Sequence, residues 1–141
     1  MLRRQSGGSS GRGVRIPLNM AAYCWYIAGT WRGLRWWDAD FTDRGAILLG
    51  SGISGVQSLA VRAKDWVMNW LRVPVDGQFN GHTREAVDRL EAFGPTFMYG
   101  YPSAVHRLAR EVAERGWRPA GRLKVIVLTG EPLYAFQRRV V

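Results

Sequence analysis

Leu123-Lys124-Val125-Ile126-Val127-Leu128, followed at once by Thr129-Gly130-Glu131-Pro132-Leu133, is the stretch whose reading decides the fold. The apolar run is the strongest strand signal in the chain, and Gly130 breaks it. Pro132 is expected to open a helix behind it. Working back, Pro102 or Ser103 starts a helix that carries Val105, Leu108, Ala109 and Val112 on one face, and Gly116 closes it. Arg107–Glu111 and Arg110–Glu114 are spaced to pair on its outer side. Thr96-Phe97-Met98-Tyr99 is a strand candidate. Before it, Thr83 caps a helix with Glu85 in its first turn and Val87, Leu90 and Phe93 as its stripe, and Gly94-Pro95 stops it.

The first half continues the alternation less clearly. Asn19 is the expected N-cap of a helix to about Trp37, with Met20, Cys24, Ile27, Trp31 and Leu34 on one face. Ala46-Ile47-Leu48-Leu49 reads as a short buried strand, stopped by Gly50-Ser51-Gly52. Residues 51–58 read as a flexible loop, and 59–71 as an ambiguous segment of helical character. Strands that are continuous apolar runs, alternating with helices, imply an α/β fold: a mainly parallel sheet with helices on both faces. Ligands of such sheets bind beyond the carboxyl ends of the strands. Tyr99-Gly100-Tyr101-Pro102 and Thr129-Gly130-Glu131 both fall at such ends.

Composition bounds the function. A chain of 141 residues with 47% hydrophobic content is one domain's worth of sequence and can bury a core. No apolar run approaches the roughly 18 residues needed to span a bilayer, and the basic start Met1-Leu2-Arg3-Arg4 leads into glycine and serine rather than a signal peptide's apolar stretch. Cys24 is the single cysteine, which excludes an internal disulfide and a thiolate metal cage and suits a cytoplasmic protein with no membrane partner. The formal charge is +9, and Lys64 and Lys124 are the only basic residues that are not arginine. That charge fits either solvated helix faces or a polyanionic partner. His82 and His106 stand far apart with no carboxylate at ligand spacing, so no metal site is assigned to the chain's own residues.

Gln5-Ser6-Gly7-Gly8-Ser9-Ser10-Gly11-Arg12-Gly13-Val14-Arg15 packs four glycines and three serines into eleven residues. Glycine lets successive N–H groups turn toward one point and serine adds hydroxyl donors, which together make a nest for phosphate oxygens. The loop lacks the Gly-Lys-Ser/Thr ending of a Walker loop. Gly7-Gly8-Ser9-Ser10-Gly11 matches the pattern of a hydrolase nucleophile elbow, but Met1 to Gln5 does not read as the buried strand that an elbow requires. A run of this composition also suits a plain linker.

Taken together, these segments resemble the adenylate-forming enzymes, in particular the phenylacetate–coenzyme A ligase family and its capsule-biosynthesis relatives. Ser6 to Gly11 with Val14-Arg15 is similar to the family's phosphate loop, usually Thr-Ser-Gly-Gly-Ser-Thr-Gly-Glu-Pro. Tyr99-Gly100-Tyr101-Pro102-Ser103-Ala104 looks like its Gly-Tyr-Pro-Ser segment. Thr129-Gly130-Glu131-Pro132-Leu133 with Gln137-Arg138 looks like its Thr-Gly-Glu-x-Leu…Gln-Arg segment. Leu34-Arg35-Trp36-Trp37 to Asp43-Arg44 is also similar, so the resemblance runs through the chain in order. Departures lie in the loop: Gln5 and Ser10 stand for threonine, and Arg12-Gly13 for an acid and proline.

The resemblance implies part of the large N-terminal domain of an adenylate-forming enzyme over residues 1–141, with the phosphate loop at 5–15 and the adenosine segment at 129–133. The implied substrates are ATP and a carboxylic acid, joined as an acyl-adenylate with release of pyrophosphate; Mg²⁺ accompanies the phosphates, and coenzyme A takes the acyl group. Ser6, Gly7, Gly8, Ser9, Ser10 and Gly11 would hold phosphates, with Arg15 facing the leaving pyrophosphate. Gly130, Glu131 and Pro132 would shape the adenosine site. Tyr99, Gly100, Tyr101 and Pro102 would border or support the acyl pocket, though the tyrosines suit core packing as well. Glu131 would equally suit the N-terminus of a helix begun at Pro132.

The family's magnesium-holding acid, its ribose-binding aspartate and the lysine of its small C-terminal domain have no counterpart in the 141 residues. The expectation is therefore an internal fragment that is inactive alone, binds hydrophobic dyes and has the rest of a parent chain as its partner. The alternative is a small basic nucleic-acid-binding module, with arginines on phosphates and tryptophans (Trp25, Trp31, Trp36, Trp37) stacking on bases rather than packing the helix. No nucleic-acid motif is present, so nucleic acid is not the expected partner.

Overall fold

The computed structural model describes residues 2–5, 15–49, 59–73, 75, 83–116 and 123–141. They fall into two compact units, Met1–Trp36 and Trp37–Val141.

In the first unit β1 (Leu2–Gln5) pairs antiparallel with β2 (Arg15–Leu18), in register from Leu2↔Leu18 to Gln5↔Arg15. The sequence reading assigned no strand here. The pairing is made by backbone across the glycine-serine stretch, and a two-stranded ribbon tolerates a proline such as Pro17 that a central strand would not. Asn19 then caps α1 (Met20–Arg35) as expected, its Oδ1 accepting from Ala22 N at 2.7 Å. The expected stripe is only partly used: Leu34 is buried and Ile27 and Trp31 are half-buried, whereas Met20 and Cys24 are exposed. Trp25 is 79% and Trp36 76% exposed, so of the tryptophans expected to pack the helix only Trp31 is partly covered. A two-stranded ribbon offers a helix little surface to bury against.

The second unit contains β3 (Gly45–Leu48), α2 (Leu59–Val67), β4 (Trp70–Arg72), α3 (Thr83–Phe93), β5 (Phe97–Gly100), α4 (Pro102–Arg115), β6 (Val125–Leu128) and α5 (Ala135–Arg138). Its four strands are all parallel, in the order β4-β3-β5-β6. β3 is buried at every residue, as a strand covered on both faces must be. β6, the strongest apolar run in the sequence, is half-buried throughout because it stands at an edge.

Side-chain alternation assigns the layers. Ala46, Leu48 and Val73, with Leu71 and Met98, pack with Ala86, Val87 and Leu90 of α3 and Ala104 and Leu108 of α4. The intervening β4 residues face the other way: Arg72 binds Asp65 of α2 through both carboxylate oxygens, at 2.5 and 3.0 Å, and Lys64 lies over the Trp70 ring. Helix α2 therefore covers the face opposite α3 and α4. Asp65, only 7% exposed, is tolerated there because the guanidinium fork satisfies it.

Two helix boundaries follow backbone chemistry. Gly94 (φ 61°) ends α3, and Gly116 (φ 64°) caps α4. α5 begins at Ala135 rather than near Pro132, because Tyr134 is its N-cap and Gln137 Oε1 accepts from Tyr134 N at 2.9 Å. On α4, Arg110 pairs with Glu114, while Glu111 meets Arg115 and Arg84.

The amino end of the sheet is closed by Lys124, whose ammonium donates to Asp38 O at 2.6 Å and Asp43 Oδ2 at 2.9 Å. Burial alone would push the Asp43 carboxyl up, but hydrogen bonds from Asp40 N–H and Lys124, with the ammonium's charge, hold it below the ordinary 3.8. A depressed folded pKa contributes stability that is present above the unfolded value and is lost as pH falls through the folded one. Urea unfolding should place Asp43→Asn about 1–3 kcal/mol below the wild type at pH 7. That gap should close as the pH is taken below the carboxylate range; a gap of constant size would show that Asp43 is not paired in its ionised form.

Candidate functional site at the strand ends

The chain leaves β3 for α2 on one face of the sheet and leaves β5 for α4 on the other. Adjacent parallel strands whose connections diverge in this way open a crevice at their carboxyl ends, the usual ligand site of such sheets. Here that point lies beyond Leu48 and Gly100. Two backbone bonds extend the sheet into it: Tyr101 N donates to Leu48 O at 3.1 Å, and Thr129 N donates to Gly100 O at 3.0 Å.

Gly100 is buried, and a Cβ there would lie 2.6 Å from Leu48 O and 2.7 Å from Leu48 Cβ. Only glycine lets the two strands close to this spacing. Pro102 is fully buried and opens α4 at a position where its missing N–H costs nothing. Tyr99 and Tyr101 are half-buried. Of the four residues expected at the acyl side, Gly100 and Pro102 are thus buried, and the tyrosines retain exposed surface.

The 129–132 segment meets the same place. Gly130 has φ 79°, in the left-handed region, and a Cβ on it would lie 2.5 Å from Cε1 of the Tyr101 ring. Glu131 Oε2 accepts from Ser103 N at 3.0 Å. The carboxylate thus sits at the N-terminus of the preceding helix α4, not of the following α5. Tyr101, the N-cap of α4, supplies no side-chain acceptor, so the acceptor comes from another loop. Gly130, Glu131 and Pro132 are exposed. Sequence reasoning assigned both segments but not the Glu131–Ser103 bond. The available signal was a proline-opened helix with no serine, threonine or acid at its N-cap.

Of the other assigned residues, Arg15 lies in β2, while Ser6, Gly7, Gly8, Ser9, Ser10 and Gly11 fall outside the described residues. So do His82 and residues 51–58. His106 packs edge-on against Phe136, ring centroids 5.5 Å apart. Among the described residues no group of three or more His, Cys, Asp or Glu could hold a metal ion, and no helix is long and apolar enough to cross a membrane. A cavity of about 280 Å³ between α3, α4 and the sheet is lined by apolar side chains such as Leu90, Met98, Val105 and Ile126, and by none of the assigned site residues.

No protein-family model matches the chain, and no curated protein matches it. Solved structures do. The chain is similar to 2-hydroxyisobutyryl-CoA ligase in an open conformation in complex with 2-HIB-AMP and CoA, with 18% identity and a TM-score of 0.58 over 94% of this chain and 28% of that one. It is also similar to the same ligase in the postadenylation state with R3-HIB-AMP, at 17% identity and a TM-score of 0.55 over 94% of this chain and 27% of that one. At this identity the likeness is one of fold. The chain has the α/β fold of a portion of an adenylate-forming enzyme and spans a little over a quarter of the length of these ligases.

The close approach of Gly100 to Leu48 is directly testable. Gly100→Ala should lower unfolding stability by about 1–3 kcal/mol, the usual cost of overpacking. A neutral substitution would mean that the β3–β5 spacing is not what holds the strand ends together.

Proposed function

We propose that the chain is part of the large domain of an ATP-dependent carboxylate-activating ligase of the phenylacetate–coenzyme A ligase kind, acting in the cytoplasm. The observation that carries this reading is the meeting of Tyr99–Pro102 with Thr129–Pro132 at the switch point of the parallel sheet. A fold shared with ligases solved with acyl-AMP ligands supports it.

In this reading a carboxylate oxygen attacks the α-phosphorus of ATP, the bond to pyrophosphate breaks, and an acyl-adenylate remains. The thiol of coenzyme A then attacks the acyl carbon and AMP leaves. Exposed Gly130, Glu131 and Pro132 form the adenosine side, and Tyr99 and Tyr101 the acyl side, over the support of Gly100 and Pro102. Ser6, Ser9, Ser10 and the N–H groups of Gly7, Gly8 and Gly11 would take the phosphates, and Arg15 would stabilise charge on the departing pyrophosphate. Mg²⁺ would accompany the phosphates there; the described residues offer it no ligand cluster of their own, and no step is assigned to it.

Because the chain spans little more than a quarter of the ligases it matches, we propose that the 141 residues bind nucleotide but do not adenylate alone. A nucleic-acid-binding module is the competing reading, and the exposure of Trp25 and Trp36 along α1, which carries Arg32 and Arg35 in its last turn, is what favours it. Titration calorimetry with ATP, and separately with a single-stranded oligonucleotide at several salt concentrations, decides between them. The ligase reading predicts saturable ATP binding and no carboxylate-dependent pyrophosphate release. Tight oligonucleotide binding that weakens steeply with salt, without ATP binding, would overturn it.

A further inference from the structure

We propose that Glu131 and Tyr101 are positioning residues: together they lock the 129–131 turn onto the start of α4, so that a nucleotide meets the backbone of a pre-formed turn. The inference rests on the nucleotide reading above and gives these two side chains a task that neither the adenosine nor the acyl assignment contains.

Three consecutive residues of the turn are each tied to the 100–103 segment by a different interaction. Thr129 N donates to Gly100 O. Gly130 lies against the Tyr101 ring so closely that no Cβ fits between them. Glu131 Oε2 accepts from Ser103 N. Gly130, Glu131 and Pro132 are exposed and lie between the end of β6 and the start of α5, with no helix or strand pairing of their own. Without these ties a glycine with positive φ would leave the turn free to reorient, and ordering it would weaken binding.

The chemistry of α4 makes the Glu131 tie specific. Pro102 has no N–H, and Tyr101 offers its helix no side-chain acceptor, so the Ser103 N–H heads the helix's row of unpaired donors. A carboxylate is the favoured partner at that end of a helix. Because Glu131 spends an oxygen on that donor, its role is met by any acceptor of the same reach. A charge on the ligand is not required. Tyr101 acts through its ring face, so its hydroxyl is dispensable.

Four variants of the 141-residue chain test this: Glu131→Ala, Glu131→Gln, Tyr101→Ala and Tyr101→Phe. Two readouts are used, amide hydrogen exchange at Ser103 and Thr129 without ligand, and AMP affinity by calorimetry. The two alanine variants should exchange about tenfold faster at these amides, a local opening rather than global unfolding. They should also bind AMP about tenfold more weakly, as the lost pre-ordering demands. Glu131→Gln keeps an acceptor of the same reach and Tyr101→Phe keeps the ring, so both should stay near wild type in exchange at these amides, and they serve as the folded controls for that readout.

If Glu131→Gln keeps wild-type exchange at Ser103 and Thr129 yet loses AMP affinity as fully as Glu131→Ala, Glu131 acts on the ligand by charge and the proposal is overturned. Unchanged exchange in both alanine variants overturns it equally. If the exchange pattern appears but the wild-type chain binds no AMP, the turn is locked as proposed and the nucleotide reading is what fails.

Discussion

The parallel pairing of β3 with β5, residue for residue from Gly45↔Phe97 to Leu48↔Gly100, is the constraint on which the second unit depends. Each of these strands has a second neighbour, β4 or β6, so the pair forms the centre of the sheet. Because their connections leave on opposite faces, the same pairing puts the topological switch point of the sheet at their carboxyl ends. Gly100 is where the demand for close strands and the demand for an open end meet. A side chain there would collide with Leu48, and the residue after it must turn out of the sheet into α4.

Much of this was legible because the signals were local. Asn19 marks a helix start through its side-chain oxygen and Gly94 and Gly116 mark helix ends through their left-handed backbone, and the apolar runs at 46–49, 96–99 and 123–128 lie within a residue or two of the observed strands. What was not legible depends on partners distant in sequence. β4 is three residues long and mixes Trp70 and Arg72 with one leucine, so it becomes a strand only beside β3 and with Asp65 to receive its arginine. The β1–β2 ribbon holds arginines and a proline and is made by pairing alone. The start of α5 was misplaced because a buried glutamine, Gln137, completes the cap at Tyr134 and overrides the proline signal.

The candidate segments were legible in a different way. Spacing and resemblance assigned the 99–102 and 129–132 segments, and the topology brings them together at the strand ends. The division of labour within them was not visible. Glu131 looked suited either to a nucleotide or to the helix that follows it, yet its carboxylate is bonded to the helix that precedes it. Tyr101 is expected at the acyl side, and its ring also backs Gly130. Both contacts follow from a crossover that brings residues nearly thirty positions apart together, which no periodicity encodes.

The most direct test of the central claim is to map AMP onto the isotopically labelled chain by backbone amide chemical shifts. The account predicts that shifts concentrate at Gly100, Tyr101, Ser103, Thr129, Gly130 and Glu131. Shifts confined to α1 around Trp25 and Arg32, or to the apolar cavity around Leu90 and Ile126, would contradict it.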